Sequence, residues 1–112
     1  MQFLVIGIDG VDADAQGRRQ AARAAHIALG EKLLASGNMW YGAALLHDDG
    51  NMKGSMLMMD FPSEKELSEW LETGPYKTGN VWEQVTIHKC KTRDPWQFNR
   101  PKKFFENRTG TA

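Results

Sequence analysis

Apolar and β-branched residues fill the opening run Gln2-Phe3-Leu4-Val5-Ile6-Gly7-Ile8, and the turn cluster Asp9-Gly10-Val11-Asp12 follows at once. The pattern predicts a buried first strand over residues 2–8. A long helix comes next, with Asp12 or Asp14 placed to cap its first amides and Gly37 placed to end it in the left-handed conformation. Two further apolar runs, Asn38 to His47 and Ser55 to Phe61, flank Asp48-Asp49-Gly50-Asn51, a hairpin signal. Ser63 and Glu66 then have the spacing of a capping box, and Leu67, Trp70 and Leu71 give a short amphipathic helix stopped before Gly74-Pro75. Val85 and Ile87 alternate with Gln84, Thr86 and His88 in a last strand over Val81 to Cys90.

The order is β-α-β-β-α-β, which predicts an α+β, ferredoxin-like domain: a four-stranded antiparallel sheet with two helices on one face. Alternation should leave the other face polar. Instead Phe3 and Val5 oppose Leu4, Ile6 and Ile8, Trp40 and Leu46 oppose Tyr41 and Leu45, and Leu57 and Met59 oppose Met56 and Met58. A sheet apolar on both faces needs a second cover, and a symmetric copy supplies it, so a homodimer packed sheet to sheet is expected. Met52, Met56, Met58 and Met59 suit its core better than a copper site.

On a helical wheel with Ala22 at zero, Leu29, Leu33 and Ala22 fall within about 20° of one direction and His26 about 40° from it. Arg19, Gly30 and Arg23 follow at about 60°, 80° and 100°. His26 is thus expected at the rim of the buried stripe, beside two guanidinium groups that would lower its pKa. Gly30 costs about 1 kcal/mol relative to alanine inside a helix, and room over the imidazole is a use for it. The bland alternative is a structural histidine bonded to a carbonyl or water.

Composition narrows the partners. The chain has 112 residues, one domain's worth, and its 14 Lys and Arg balance its 14 Asp and Glu, so no global field recruits nucleic acid or a membrane. No apolar run approaches the roughly 20 residues that cross a bilayer, and the single cysteine, Cys90, suits a reducing compartment, so a cytoplasmic protein is expected. Residues 93–112 read differently from the domain at 1–92. Arg93, Arg100, Lys102, Lys103 and Arg108 against Asp94 and Glu106 give this extension a charge of +3, with Trp96, Phe98, Phe104 and Phe105 interleaved. Its aromatics are expected to pack on the domain or its dimer partner, and a nucleic-acid arm is the lesser reading. No phosphate loop, nucleophile elbow or zincin helix is present, and His88 with Cys90 falls short of a metal site, so no metal or cofactor is expected.

Arg23-Ala24-Ala25-His26, Gly54-Ser55, and Pro75-Tyr76-Lys77-Thr78-Gly79-Asn80-Val81 together resemble the YciI-related family over residues 2 to about 90. The resemblance implies a dimeric α+β barrel and, in some members, small-molecule enzymes such as dehydrochlorinases of chlorinated hydroxyquinols, with a site centred on a His/Asp pair. His26 and Ser55 would then be catalytic, and Arg19, Arg23 and Tyr76 would hold the substrate. The pattern departs at Gly74, where relatives carry an aspartate before the Pro-Tyr pair, and at the plain helix end Ala35-Ser36-Gly37. Asp9, Asp48 and Asp49 are the candidate replacements, and no spacing argument selects among them. Two functions stand: a cofactor-independent lyase or isomerase moving a proton on a small anionic or phenolic compound, or a non-catalytic dimer that binds a small ligand or serves as an interaction module.

Overall fold

The computed structural model describes residues 1–94 and residue 97, so the aromatic and basic extension lies almost wholly outside the described residues. Strand β1 (Gln2–Asp9) leads into helix α1 (Ala15–Ser36), then β2 (Met39–Leu46), β3 (Met52–Asp60), α2 (Glu64–Thr73), a single turn α3 (Pro75–Thr78) and β4 (Trp82–Cys90). All three pairings are antiparallel and the strand order is β2-β3-β1-β4, the ferredoxin-like arrangement.

The expected elements are present with one addition. Gly74-Pro75 stops α2, but proline at the first helical position also starts a turn. The Gly74 carbonyl accepts from the amides of Lys77 and Thr78, and the resulting α3 carries Tyr76 into the core. The capping of α1 differs from expectation. Asp14 is the N-cap residue but makes no side-chain cap bond. The Asp12 carboxylate accepts from the Asp14 amide and from both terminal nitrogens of Arg18, at 2.7 and 2.8 Å, and this pairing holds Asp12 down at about 2. Gly37 closes α1 at φ 85°, and the Ser63 hydroxyl accepts from the Glu66 amide to cap α2.

Phe3, Val5, Leu57 and Met59 face the helices and meet Leu33, Leu67, Leu71 and Tyr76 in one core. On the opposite face Leu4, Ile6 and Met56 are half-buried, while Ile8 and Tyr41 are exposed. Alternation slips three times, once where Leu45 pairs with Gly54 but Leu46 with Met52. Met39 pairs with Met59 but Tyr41 with Met58, leaving Trp40 as the extra residue of a bulge. Ile8 pairs with Gln84 but Asp9 with Trp82, so Glu83 is extra and Trp82 joins the face that carries Asp9. Among the described residues no helix is long and apolar enough to cross a membrane.

Candidate functional site

The buried residues of α1 are Ala15, Arg19, His26 and Leu33. The buried face is therefore centred close to His26, not beside it, and Arg19 lies within the stripe rather than beyond its rim. The apolar residues used to orient the wheel were displaced because two of the four most buried positions are polar.

Arg19 is 3% exposed and its guanidinium is engaged on every side. Its Nε donates to Asp9 Oδ2 at 2.6 Å, and Nη2 to the Gly54 carbonyl at 2.8 Å and Ser55 Oγ at 3.0 Å. Nη1 donates to Tyr76 Oη at 3.3 Å and contacts Met52 Sδ. Such saturation is what a buried charge requires. The expectation that Arg19 takes up substrate charge thus meets a group whose donors serve Asp9, Ser55 and Tyr76. Ser55 is fully buried, and its oxygen also accepts from Trp82 Nε1 at 3.3 Å. Trp82 lies flat over Gly7, where an added Cβ would come 2.4 Å from the indole.

Tyr76 links this network to the imidazole. The Arg19 guanidinium carbon lies 4.8 Å from the centroid of the phenol ring. His26 stacks on the same ring, with centroids 3.7 Å apart and planes within 2°, and Trp82 meets both rings edge-on. Burial first, then the charges of Arg19 and Arg23, push His26 down to about 4, so the imidazole is neutral at pH 7. Burial likewise pushes the Tyr76 hydroxyl up.

His26 lines a cavity of about 320 Å³ between α1 and β2, with Gly30, Met39, Trp40, Gly42 and Trp70 among its other walls. Gly30 does border the imidazole's cavity, although the Met39 methyl reaches within 3.3 Å of where its Cβ would stand. Arg19 and Arg23 line a separate cavity of about 280 Å³ against the hairpin at Gly50 to Met52. The structure therefore brings Arg19, Ser55, Tyr76 and His26 into one cluster, with only His26 reaching the larger cavity, and places Arg23 along the second. Ser55 and Tyr76 sit behind the imidazole, away from both cavities.

Of the three replacement acids, Asp9 belongs to the cluster, but its carboxylate pairs with Arg19. Asp48 and Asp49 are exposed in the hairpin, where Asp49 accepts from the Asn51 amide at 2.9 Å. No hydrogen bond joins a carboxylate to His26 among the described residues. Trp82 went unrecognised in the sequence because the bulge at Glu83 breaks the alternation that would have announced its face. No group of three or more His, Cys, Asp or Glu that could hold a metal ion occurs among the described residues.

A ferredoxin-like domain with a neutral, ring-stacked histidine at the wall of an apolar cavity defines the class. The chain belongs to the family of YCII-related domains, whose model matches residues 1–91. Its structure is similar to that of the 5-chloro-2-hydroxyhydroquinone dehydrochlorinase from Burkholderia phenoliruptrix AC1100 in complex with 2,5-dihydroxybenzoquinone. The TM-score is 0.70 and identity 28%, over 81% of this chain and 94% of that one. No curated protein sequence matches the chain.

Proposed function

We propose that this protein is a cofactor-independent enzyme that moves a proton on a small phenolic compound bound beside His26. The observation that carries the proposal is a neutral imidazole at the wall of a mainly apolar cavity of about 320 Å³, a volume that suits a small ring. The dehydrochlorinase it resembles acts on a chlorinated hydroquinone, a substrate of that size and character. An elimination of this kind releases one proton and one chloride with no external oxidant, so it needs a base and an oriented ring. His26 is the proton acceptor in this reading. Arg19, Ser55 and Tyr76 hold the imidazole from behind, and Arg23 adds positive charge that favours an anionic substrate. The working form is a cytoplasmic homodimer joined through the open sheet face, where Ile8 and Tyr41 stand exposed.

The experiment is anaerobic chloride release from chlorinated hydroxyquinols, alongside a panel of small aromatic acids and phenols, by wild type and His26→Ala. A loss of about a hundredfold or more is expected from removing a general base. Equal turnover by both proteins would remove the base assignment. One observation favours the binding alternative: without a carboxylate bonded to it and held near 4, His26 is a weak base at neutral pH. A wild type that binds ring compounds but turns none over would select that reading.

A further inference from the structure

Gly30 and Gly42 face the same cavity from α1 and β2. Neither has a positive φ, unlike Gly37 and Gly50. Neither avoids a severe clash, unlike Gly7 under Trp82 or Gly54, whose Cβ would stand 2.5 Å from the Gly7 carbonyl oxygen. At Gly30 an added Cβ meets only the Met39 methyl at 3.3 Å. At Gly42 it meets Leu57 Cδ2 at 3.0 Å, then the Met56 carbonyl oxygen and Met39 Sδ at 3.6 and 3.7 Å. Met39 and Leu57 themselves line the cavity. Gly30 is half-buried and Gly42 exposed, so one marks the depth of the slot and the other its mouth. What the two positions share is the width they leave.

We propose that Gly30 and Gly42 set the width of the ligand slot and restrict it to a single flat ring, with Met39 as the wall that fixes its length. The inference rests on the His26 cavity being the ligand site, and it adds the specificity determinants and the ligand class, a one-ring hydroxylated aromatic or quinone. Glycine at both walls leaves the space in which the Met39 side chain lies beside the open cavity, and one added methyl on either wall crowds Met39 toward that cavity and narrows it. Met39 is unbranched and touches both glycines' positions, so its removal extends the slot between them.

The test is binding alone, read by quenching of tryptophan fluorescence, since Trp40 and Trp70 line the cavity. The probes are 2,5-dihydroxybenzoquinone, with one ring, and 2-hydroxy-1,4-naphthoquinone, with two. Wild type is expected to bind the one-ring probe about tenfold or more tightly than the two-ring probe, the scale on which small changes in pocket size discriminate. Gly30→Val and Gly42→Val should weaken the one-ring probe by about tenfold or more, and Met39→Ala should strengthen the two-ring probe by a similar factor. Should a valine variant not fold, the corresponding alanine variant makes the same test with a smaller shift. If wild type binds neither probe, or if the ratio is the same in every folded variant, the proposal is overturned. Discrimination between the probes without turnover of any phenol would leave the slot standing and remove the catalytic reading.

Discussion

The low proton affinity of His26 makes a quantitative claim about stability. In the unfolded chain the imidazole titrates near its ordinary value of about 6.5, whereas in the fold burial and the charges of Arg19 and Arg23 hold it at about 4. Between these values the unfolded state binds more protons, so stability falls as pH falls. The contribution is fully present above pH 6.5, declines through the window, and is wholly lost below 4. A difference of about 2.5 pH units corresponds to about 3 kcal/mol at the acid end. His26 is only 7% exposed, so solvent screening leaves most of that figure in place. Urea unfolding of wild type and His26→Gln between pH 7.5 and 4 isolates the effect, because other groups titrate alike in both proteins. The two curves of stability against pH should diverge by about 3 kcal/mol across the window, which at an m value of roughly 1–3 kcal/mol per molar is a shift of about 1 M or more in urea midpoint. A proton NMR titration should place the His26 midpoint near 4. Parallel curves, or a midpoint near 6.5, would show that the imidazole is not enclosed beside Tyr76 as described.

Asp9→Asn leaves the Arg19 guanidinium buried without its counter-charge, and chemical denaturation should show a loss of about 3 to 5 kcal/mol. The double variant Asp9→Leu with Arg19→Met removes both charges and should recover part of that loss, since the Gly54 carbonyl, Ser55 and Tyr76 lose a donor as well; a double variant no more stable than the single one would show that the uncompensated charge is not the main cost. Light scattering at micromolar concentration should report a dimer, and Ile6→Glu on the open sheet face should shift it to monomer. A wild type that stays monomeric would leave the half-buried Leu4, Ile6 and Met56 without the cover proposed for them.

The β-elements were legible because their residues obey one period. Phe3, Val5, Leu57 and Met59 alternate with Leu4, Met56 and Met58, and the register pairs each with a neighbour of its own face. The chemistry was less legible because it occurs where the period fails. On α1 the buried stripe runs through Arg19 and His26, so the apolar residues that orient a wheel point to one side of the true face. Trp82 and Trp40 each stand at a bulge, and an alternation rule assigns the wrong face beyond such a residue. Asp9 ends β1, yet in the sequence it reads as one of several acids in turns, and only its partner 10 residues later distinguishes it. The wheel singled out His26 beside Gly30 and the two arginines, whereas Ser55 and Tyr76 came from the resemblance, since periodicity had no means to select them.

A fold that needed only packing at Arg19 would be served better by leucine, since a buried guanidinium costs several kcal/mol before its partners compensate. Here one carboxylate, one backbone carbonyl and two hydroxyls compensate it, and the guanidinium on which they converge lies over a single aromatic ring. The Tyr76 hydroxyl is bonded to the guanidinium, the phenol face lies beneath the cation, and His26 is stacked on that phenol. The effect of the whole network is therefore to fix the plane of one imidazole. His26 alone in the group has no hydrogen bond among the described residues, and it alone lines the larger cavity. Ser55 and Tyr76 line neither of the two cavities. On the proposed reading, that arrangement puts the proton transfer at the imidazole nitrogens and makes the buried ion pair a device for aiming them.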